Sequence, residues 1–334
     1  MTDARSSDLS RKTFLTLSGA AAATAALPRS PLAQETKPLL SRIKMATIGA
    51  PSLDAVERWY TTWLHYTVHE RGTISEALAA SWGTPNTAGR PYLLLQSAAG
   101  DDVYIRVVEV DPIPDYKAMT TWGWNAIEII CDDVDALHEE LKTSAFTHLA
   151  GPANLMGGTS SIRAVQYKGP AEEVIYLTCE TGDRSTSNLP LPRGPVDRPF
   201  IMVLAGTNLD EMERFYGETF NMGGGGYRFT STGGLISQMQ NRSDDLIYNI
   251  GLVRCGEKGN NIELDEYPPD TGPRQPVAGQ LPQGCAMTTF NCDDLDAIDL
   301  EFITKPIMEY DGKRSAVFGG PTGELTELIE DKRS

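Results

Sequence analysis

The stretch Leu53-Asp54-Ala55-Val56-Glu57-Arg58-Trp59-Tyr60 returns 156 positions later as Leu209-Asp210-Glu211-Met212-Glu213-Arg214-Phe215-Tyr216. Cys131-Asp132-Asp133-Val134-Asp135-Ala136-Leu137 returns as Cys292-Asp293-Asp294-Leu295-Asp296-Ala297-Ile298, offset by 161. A third pair, Arg163 to Pro170 and Arg314 to Pro321, repeats an arginine, an aromatic (Tyr167, Phe318) and Gly-Pro at one spacing. One duplication accounts for all three pairs, so the chain reads as two related halves of two modules each.

Each module opens on a short apolar strand: Met45 to Ala50, Ala126 to Cys131, Ile201 to Ala205 and Met287 to Cys292. Ser52, Asp133, Asn208 and Asp294 then stand where a helix N-cap belongs, each before a helical run opened by Leu or Val. Further strands follow at Val103 to Val108, Val174 to Cys179, Asn261 to Leu264 and Leu325 to Ile329. The expected fold is α+β: four βαβββ modules forming two half-open, cup-shaped sheets with helices outside. Thr181 to Arg198, rich in Pro, Gly, Ser and Arg, reads as a linker. The expected division is one domain over 42–182, a linker over 183–197 and a second domain over 198–332.

The 334 residues suit roughly two domains of about 150 each. Asp and Glu (45) outnumber Lys and Arg (29), and the net charge of −16 has the wrong sign for a phosphate-backbone binder, so nucleic acid is not an expected partner. At the N-terminus, Ser10-Arg11-Lys12-Thr13-Phe14-Leu15 precedes an Ala-rich apolar stretch to Leu27, then Pro28 and a polar segment through Ala33. It resembles a twin-arginine export signal with Lys in the second basic place, implying removal of residues 1–33 and a periplasmic destination; the alternative is a frayed amphipathic tail. The apolar stretch is too short to span a bilayer, and no membrane partner is expected after signal removal. The five cysteines form no CxxC pair and read as buried structural thiols.

The strand, Asx-Leu, helix and aromatic opening, with the closing Gly320-Pro321-Thr322-Gly323-Glu324-Leu325-Thr326-Glu327-Leu328, resembles the vicinal oxygen chelate superfamily of glyoxalase I, bleomycin-resistance proteins and extradiol dioxygenases. The resemblance covers about residues 42 to 331. It implies two modules per cup, a ligand on the concave face and usually a divalent metal held by histidines from first strands and a Glu from a last strand. Counting back from the Asx-Leu pairs, the histidine positions fall on Met45, Ala126, Ile201 and Met287, and the last-strand positions on Tyr104, Tyr176, Glu263 and Glu327. No histidine remains, so no cofactor is expected. Glu263 and Glu327 are the candidate metal ligands if a metal binds by substitution, and otherwise a relic pair neutralised by Arg228, Arg254 or Arg314.

Strand alternation aims Tyr104 and Arg106, Glu128, and Tyr176 into the cup expected from modules 1 and 2, with His69 on the same side. Such a set suits proton transfer: Glu128 as base, His69 as proton partner, and Tyr104, Tyr176 and Arg106 orienting the substrate and stabilising an oxyanion. The competing reading is a self-satisfied Glu128–Arg106 ion pair. Trp82, Trp122 and Trp124 support an aromatic ligand, and Ser75 to Ser81 reads as a short helix able to act as a lid. The function expected is a metal-independent lyase or isomerase acting on a small hydrophobic, aromatic or phenolic compound. The alternatives are a non-catalytic sequestering protein and a metalloenzyme with substituted ligands. A small-molecule ligand is the expected partner, and four modules complete both cups within one chain, so a monomer or a homodimer fits.

Overall fold

The computed structural model describes residues 37–155, 160–223 and 226–332; the export segment expected over 1–33 lies outside them. Module 1 runs β1 (Leu40–Ala50), α1 (Leu53–Trp63), β2 (Tyr66–Thr73), α2 (Glu76–Ser81), β3 (Pro91–Ser97) and β4 (Tyr104–Glu109). Module 2 is β5 (Thr121–Cys131), α3 (Val134–Leu141), β6 (Thr147–Asn154), β7 (Ile162–Lys168) and β8 (Val174–Glu180). Module 3 has β9 (Val196–Gly206), α4 (Leu209–Thr219), β10 (Tyr227–Thr232), α5 (Gly234–Gln240), β11 (Ile247–Arg254) and β12 (Asn261–Glu266). After the two-residue β13 (Gly272–Pro273), module 4 comprises β14 (Gly284–Cys292), β15 (Ile307–Tyr310), β16 (Lys313–Gly319) and β17 (Leu325–Glu330).

The four expected caps are made by side chains: Ser52 accepts from Ala55 N–H, Asp133 from Asp135 and Ala136, Asn208 from Glu211, and Asp294 from Asp296. The fourth does not start an α-helix. It caps a 3-10 turn over Leu295–Ala297, after which Ile298 is already extended at φ −97°, ψ 112°. The sequence beyond alternates Ile298, Leu300 and Phe302 with Asp299 and Glu301, and the three apolar side chains lie on the core. That is a period of two, which an extended chain satisfies and a helix does not.

The eight-stranded sheet has the order β15-β16-β17-β14-β1-β4-β3-β2, and the nine-stranded sheet β10-β11-β12-β9-β5-β8-β7-β6. The first cup is therefore built from modules 1 and 4, and the second from modules 2 and 3. This corrects the expectation that 42–182 and 198–332 each close a cup alone. The seams are the antiparallel pairs β1 with β14 and β5 with β9. Neighbouring modules do meet, but through helices and loops: Tyr60 of α1 donates to the buried carboxylate of Glu173 at 3.2 Å, and Tyr216 of α4 to that of Glu324 at 2.7 Å. Those contacts use the back of each module and leave the strand edges to the other half.

Both acceptor loops repeat one geometry. Glu173 turns back onto Ala171 N–H and Glu324 onto Thr322 N–H, each at 2.8 Å. A Cβ on Gly169 or Gly320 would stand 1.9 Å from the returning carboxylate, so any larger residue there would displace it from its bonds. One continuous core joins the helices to the outer faces of both sheets, from Ile48, Val56 and Tyr60 through Ile127 and Ile129 to Met212, Tyr216 and Phe290. Separate apolar clusters lie on the inner faces, around Trp82 in the first cup and around Val203 and Ile201 in the second. All five cysteines are buried and unpaired.

Because residues 37–182 leave the seam edges of β1 and β5 open, that half expressed alone is expected to self-associate or aggregate. Co-expressed with residues 190–332 it should give a one-to-one complex of native mass by size-exclusion light scattering. A folded, monomeric first half would contradict the topology.

Candidate functional site

Strand register fixes four inward positions at one level of each cup. In the first they are Thr47 beside Arg106 and Thr289 beside Glu327. In the second they are Val203 beside Glu263 and Glu128 beside Tyr176. The same repeat offsets that revealed the duplication relate Thr47 to Val203 and Glu128 to Thr289. Glu263 and Glu327 thus sit level with Val203 and Thr289, one pleat beyond the Ile201 and Met287 expected opposite them. Only Met45 and Tyr104 face each other as counted. In modules 2 to 4 the last-strand residues pair two positions further along their first strands, and Glu128 itself occupies a first-strand position.

The first cup is filled by its own side chains. Glu327, with no exposed surface, accepts from Arg106 Nη2 at 3.0 Å and Thr289 Oγ1 at 2.7 Å through one oxygen, and from Trp82 Nε1 at 2.9 Å and Tyr310 Oη at 2.7 Å through the other. Arg106, 2% exposed, donates also to Thr47 Oγ1 at 3.0 Å and Tyr310 Oη at 2.6 Å, and its guanidinium lies 4.6 Å from the Trp82 ring centre. A buried charge pair survives only when its remaining polar positions are satisfied, and here they are. The helix expected as a lid is α2, capped by Ser75, and the Trp82 that follows it is sealed into the cup.

The predicted site is therefore divided. Arg106 pairs with Glu327, so it neither neutralises nor assists Glu128, and it takes the role expected of Arg228, Arg254 or Arg314. Arg228 instead binds Asp210 and Glu213, and Arg314 binds Asp296 and Glu330. His69 is exposed on the edge strand β2, its ring centre 4.9 Å from that of Tyr104 and tilted 43° to it, both on the first sheet. Burial and the neighbouring Asp102 push the Tyr104 phenol up to about 12. Of the five residues, Glu128 and Tyr176 share the second cup.

There the cup collects acids. Glu128 is 3% exposed and accepts from Thr178 Oγ1 at 2.6 Å, and burial pushes its carboxyl up to about 7. Glu263, half-buried, is held well above the carboxylate range by burial and by the nearby Asp265 and Glu128. Asp265 is 1% exposed and raised by burial to about 7. Among the described residues no Arg, Lys or His forms an ion pair with any of the three. Tyr176 lies against them, its phenol raised by burial and then by Asp265, Glu263 and Glu128.

Asp265 and Tyr267 lie beyond the strand end expected at Leu264, because β12 continues to Glu266. The signal was present: Glu263 and Asp265 alternate with Ile262 and Leu264, which belong to the core. Helix α5 covers one end of the cup, with Ile236 packed alongside Val203 and Tyr248, and Ser237 Oγ donating to Tyr248 Oη at 3.2 Å.

Neither cup fits a divalent metal. In the first, Arg106 stands at the ligand level and takes the one carboxylate. In the second, an aliphatic, a phenol and two carboxylates leave a hard cation short of oxygens and a softer one without nitrogen or sulfur. No group of three His, Cys, Asp or Glu among the described residues is arranged to hold an ion. Glu263 and Glu327 lie in different cups and form no pair. A cleft of about 300 Å³ is lined by Trp82, Trp122, Trp124, Pro273 and Arg274, and its lining includes Glu324 but neither Glu263 nor Glu327. Arg274 there is used up on the carbonyls of Trp124, Gln283 and Cys285.

No family model and no curated protein sequence matches the chain. Among solved structures, glyoxalase I from Zea mays aligns with a TM-score of 0.57 at 15% identity, covering 86% of this chain and 92% of that one. A putative dioxygenase from Bacillus subtilis aligns with a TM-score of 0.59 at 11% identity, covering 90% and 87%. The likeness establishes the fold: the chain shares with these structures the architecture of two curled sheets built from repeated modules.

Carboxyls raised in the folded state favour folding while protonated, and that contribution is lost as pH climbs from the unfolded value through the raised one. Glu263→Gln removes a charge the cup does not accommodate. It is expected to raise the melting temperature by about 2 °C or more at pH 8 and to leave it unchanged near pH 5. Equal effects at both pH values would contradict the placement of Glu263 among uncompensated acids.

Proposed function

We propose that the second cup is the working site of a metal-independent proton-transfer enzyme of the lyase or isomerase class, acting on a small hydrophobic, aromatic or phenolic compound. The observation that carries this is Glu128: a carboxyl on the concave face, raised to about 7, with one hydroxyl donor and no cationic partner among the described residues. Near neutral pH such a group is present in both forms, which suits a general base that must also give its proton back. The proton moves from a substrate carbon to a Glu128 oxygen. The electron pair left behind is delocalised onto a substrate oxygen that accepts from Tyr176, whose raised phenol stays protonated and remains a donor. Return of the proton to a different carbon gives isomerisation, and departure of a β-substituent gives elimination.

The first cup takes no part in this reading, since its polar groups are spent on one another. Its role is structural, holding β1 and β14 together around Arg106 and Glu327. The export signal and periplasmic location belong to the same proposal and rest on the N-terminal sequence alone.

A screen of aromatic and phenolic compounds for product formation, run on wild type and Glu128→Gln, tests the proposal. The variant is expected to lower kcat by about 100-fold or more with little change in KM. Wild-type kcat/KM should rise with pH to a plateau above about 7, because the carboxylate form is the active one. Full turnover in Glu128→Gln, or stoichiometric binding without product for every compound, would contradict it, the latter in favour of a sequestering protein.

A further inference from the structure

The duplication supplies an internal comparison that bears on what the second cup receives. In the first cup a cation lies between a carboxylate and aromatic rings: the Arg106 guanidinium is 3.0 Å from Glu327 Oε2, within 2.6 Å of Tyr310 Oη and over the Trp82 ring. By strand register the position of Arg106 in the second cup is held by Glu263. The cation is gone and an acid stands in its place, joined by Glu128 and Asp265.

Two buried polar groups on the same face also lack partners. Asp265 Oδ1 and Tyr267 Oη belong to residues 1% exposed, and neither atom has a hydrogen bond. Asp265 and Tyr267 follow Glu263 at intervals of two, and Tyr267 packs with Val203, Ala205 and Tyr248 on the inner side of the sheet. Burying such groups unpaired costs stability, and a group that supplies the missing partner recovers it. Aromatic rings complete the row: Tyr227 aligns with Leu252, and Leu252 with Glu263. The Phe229 ring centre lies 5.8 Å from that of Tyr227, a residue 42% exposed.

We propose that the second cup binds a small organic cation, a protonated or quaternary amine on an apolar body, with Glu263 and Asp265 facing its charge and Tyr176, Tyr227 and Phe229 walling it. This rests on the reading of that cup as the working site and names the class of compound it takes. The entering charge draws these acids toward their ionised forms, whose field then holds it, and ring faces hold the alkyl-ammonium surface by cation–π attraction. The same cation draws Glu128 toward its ionised form, so a substrate of this class readies its own base.

Titration calorimetry of the full chain tests the inference without requiring turnover. The probes are choline, benzyltrimethylammonium and 3,3-dimethylbutanol, the uncharged isostere of choline, with calcium and magnesium chloride as separate arms. Choline is expected to bind about tenfold or more tightly than the alcohol. Glu263→Gln and Asp265→Asn should each remove about tenfold of that preference. Tyr227→Leu, at an exposed rim position that spares the fold, should weaken benzyltrimethylammonium several-fold. Equal binding of alcohol and choline, binding unaltered in all three variants, or displacement of choline by stoichiometric calcium or magnesium would overturn the inference. The two proposals fail separately. Amine binding with no turnover of any compound sinks the enzyme and keeps the site, whereas Glu128-dependent turnover of neutral compounds alone sinks the amine and keeps the enzyme.

Discussion

Each module's first strand has one edge filled by a parallel strand of its own module and one edge left for a stranger, and the identity of that stranger fixes everything built on it. β1 takes β4 on one side and β14 on the other; β5 takes β8 and β9. Backbone N–H and C=O groups on a buried central edge must be paired, so the two seams are obligatory, and each crosses between the halves of the chain. Which side chains share a cup follows from that choice. Glu128 meets Glu263 and Asp265, and Arg106 meets Glu327, across sequence separations that no local pattern announces.

The two cups resolve the same problem in opposite ways. Both bring a carboxylate into a desolvated hollow at equivalent levels. The first compensates it within the chain, by guanidinium, indole, phenol and threonine, and seals it with Trp82. The second leaves three carboxyls facing one another with a single hydroxyl donated to Glu128 and none to Asp265 Oδ1. Uncompensated charge of this kind lowers stability, and folded proteins retain it chiefly where ligands bind or chemistry occurs. Duplication makes such a division tolerable, because the self-satisfied cup holds the scaffold while the acidic one bears the strain.

Much of the fold was legible along the chain. The repeats gave four modules, the Asx and Ser caps gave the helix starts, and the alternation around Ile127 and Ile129 correctly turned Glu128 inward. What was not legible was partner choice and register. Cup membership depends on pairing between distant strands, and proximity in sequence pointed to modules 1 and 2. The same error placed Arg106 beside Glu128. A displacement of two residues in strand pairing, invisible in composition, moved the ligand level from Ile201 and Met287 to Val203 and Thr289. Asp265 and Tyr267 escaped because a strand read as ending at Leu264 continues to Glu266.

The proposed function turns on an uncompensated, proton-exchanging carboxyl at Glu128 in the second cup. The most direct test is difference infrared spectroscopy of the carboxyl band, titrated from about pH 5 to about pH 9 in wild type and Glu128→Gln. Wild type is expected to show protonated carboxyls that ionise around neutrality, and Glu128→Gln a smaller step there, with Asp265 still contributing. Complete ionisation of every carboxyl by about pH 5, or an unchanged neutral titration in Glu128→Gln, would contradict it.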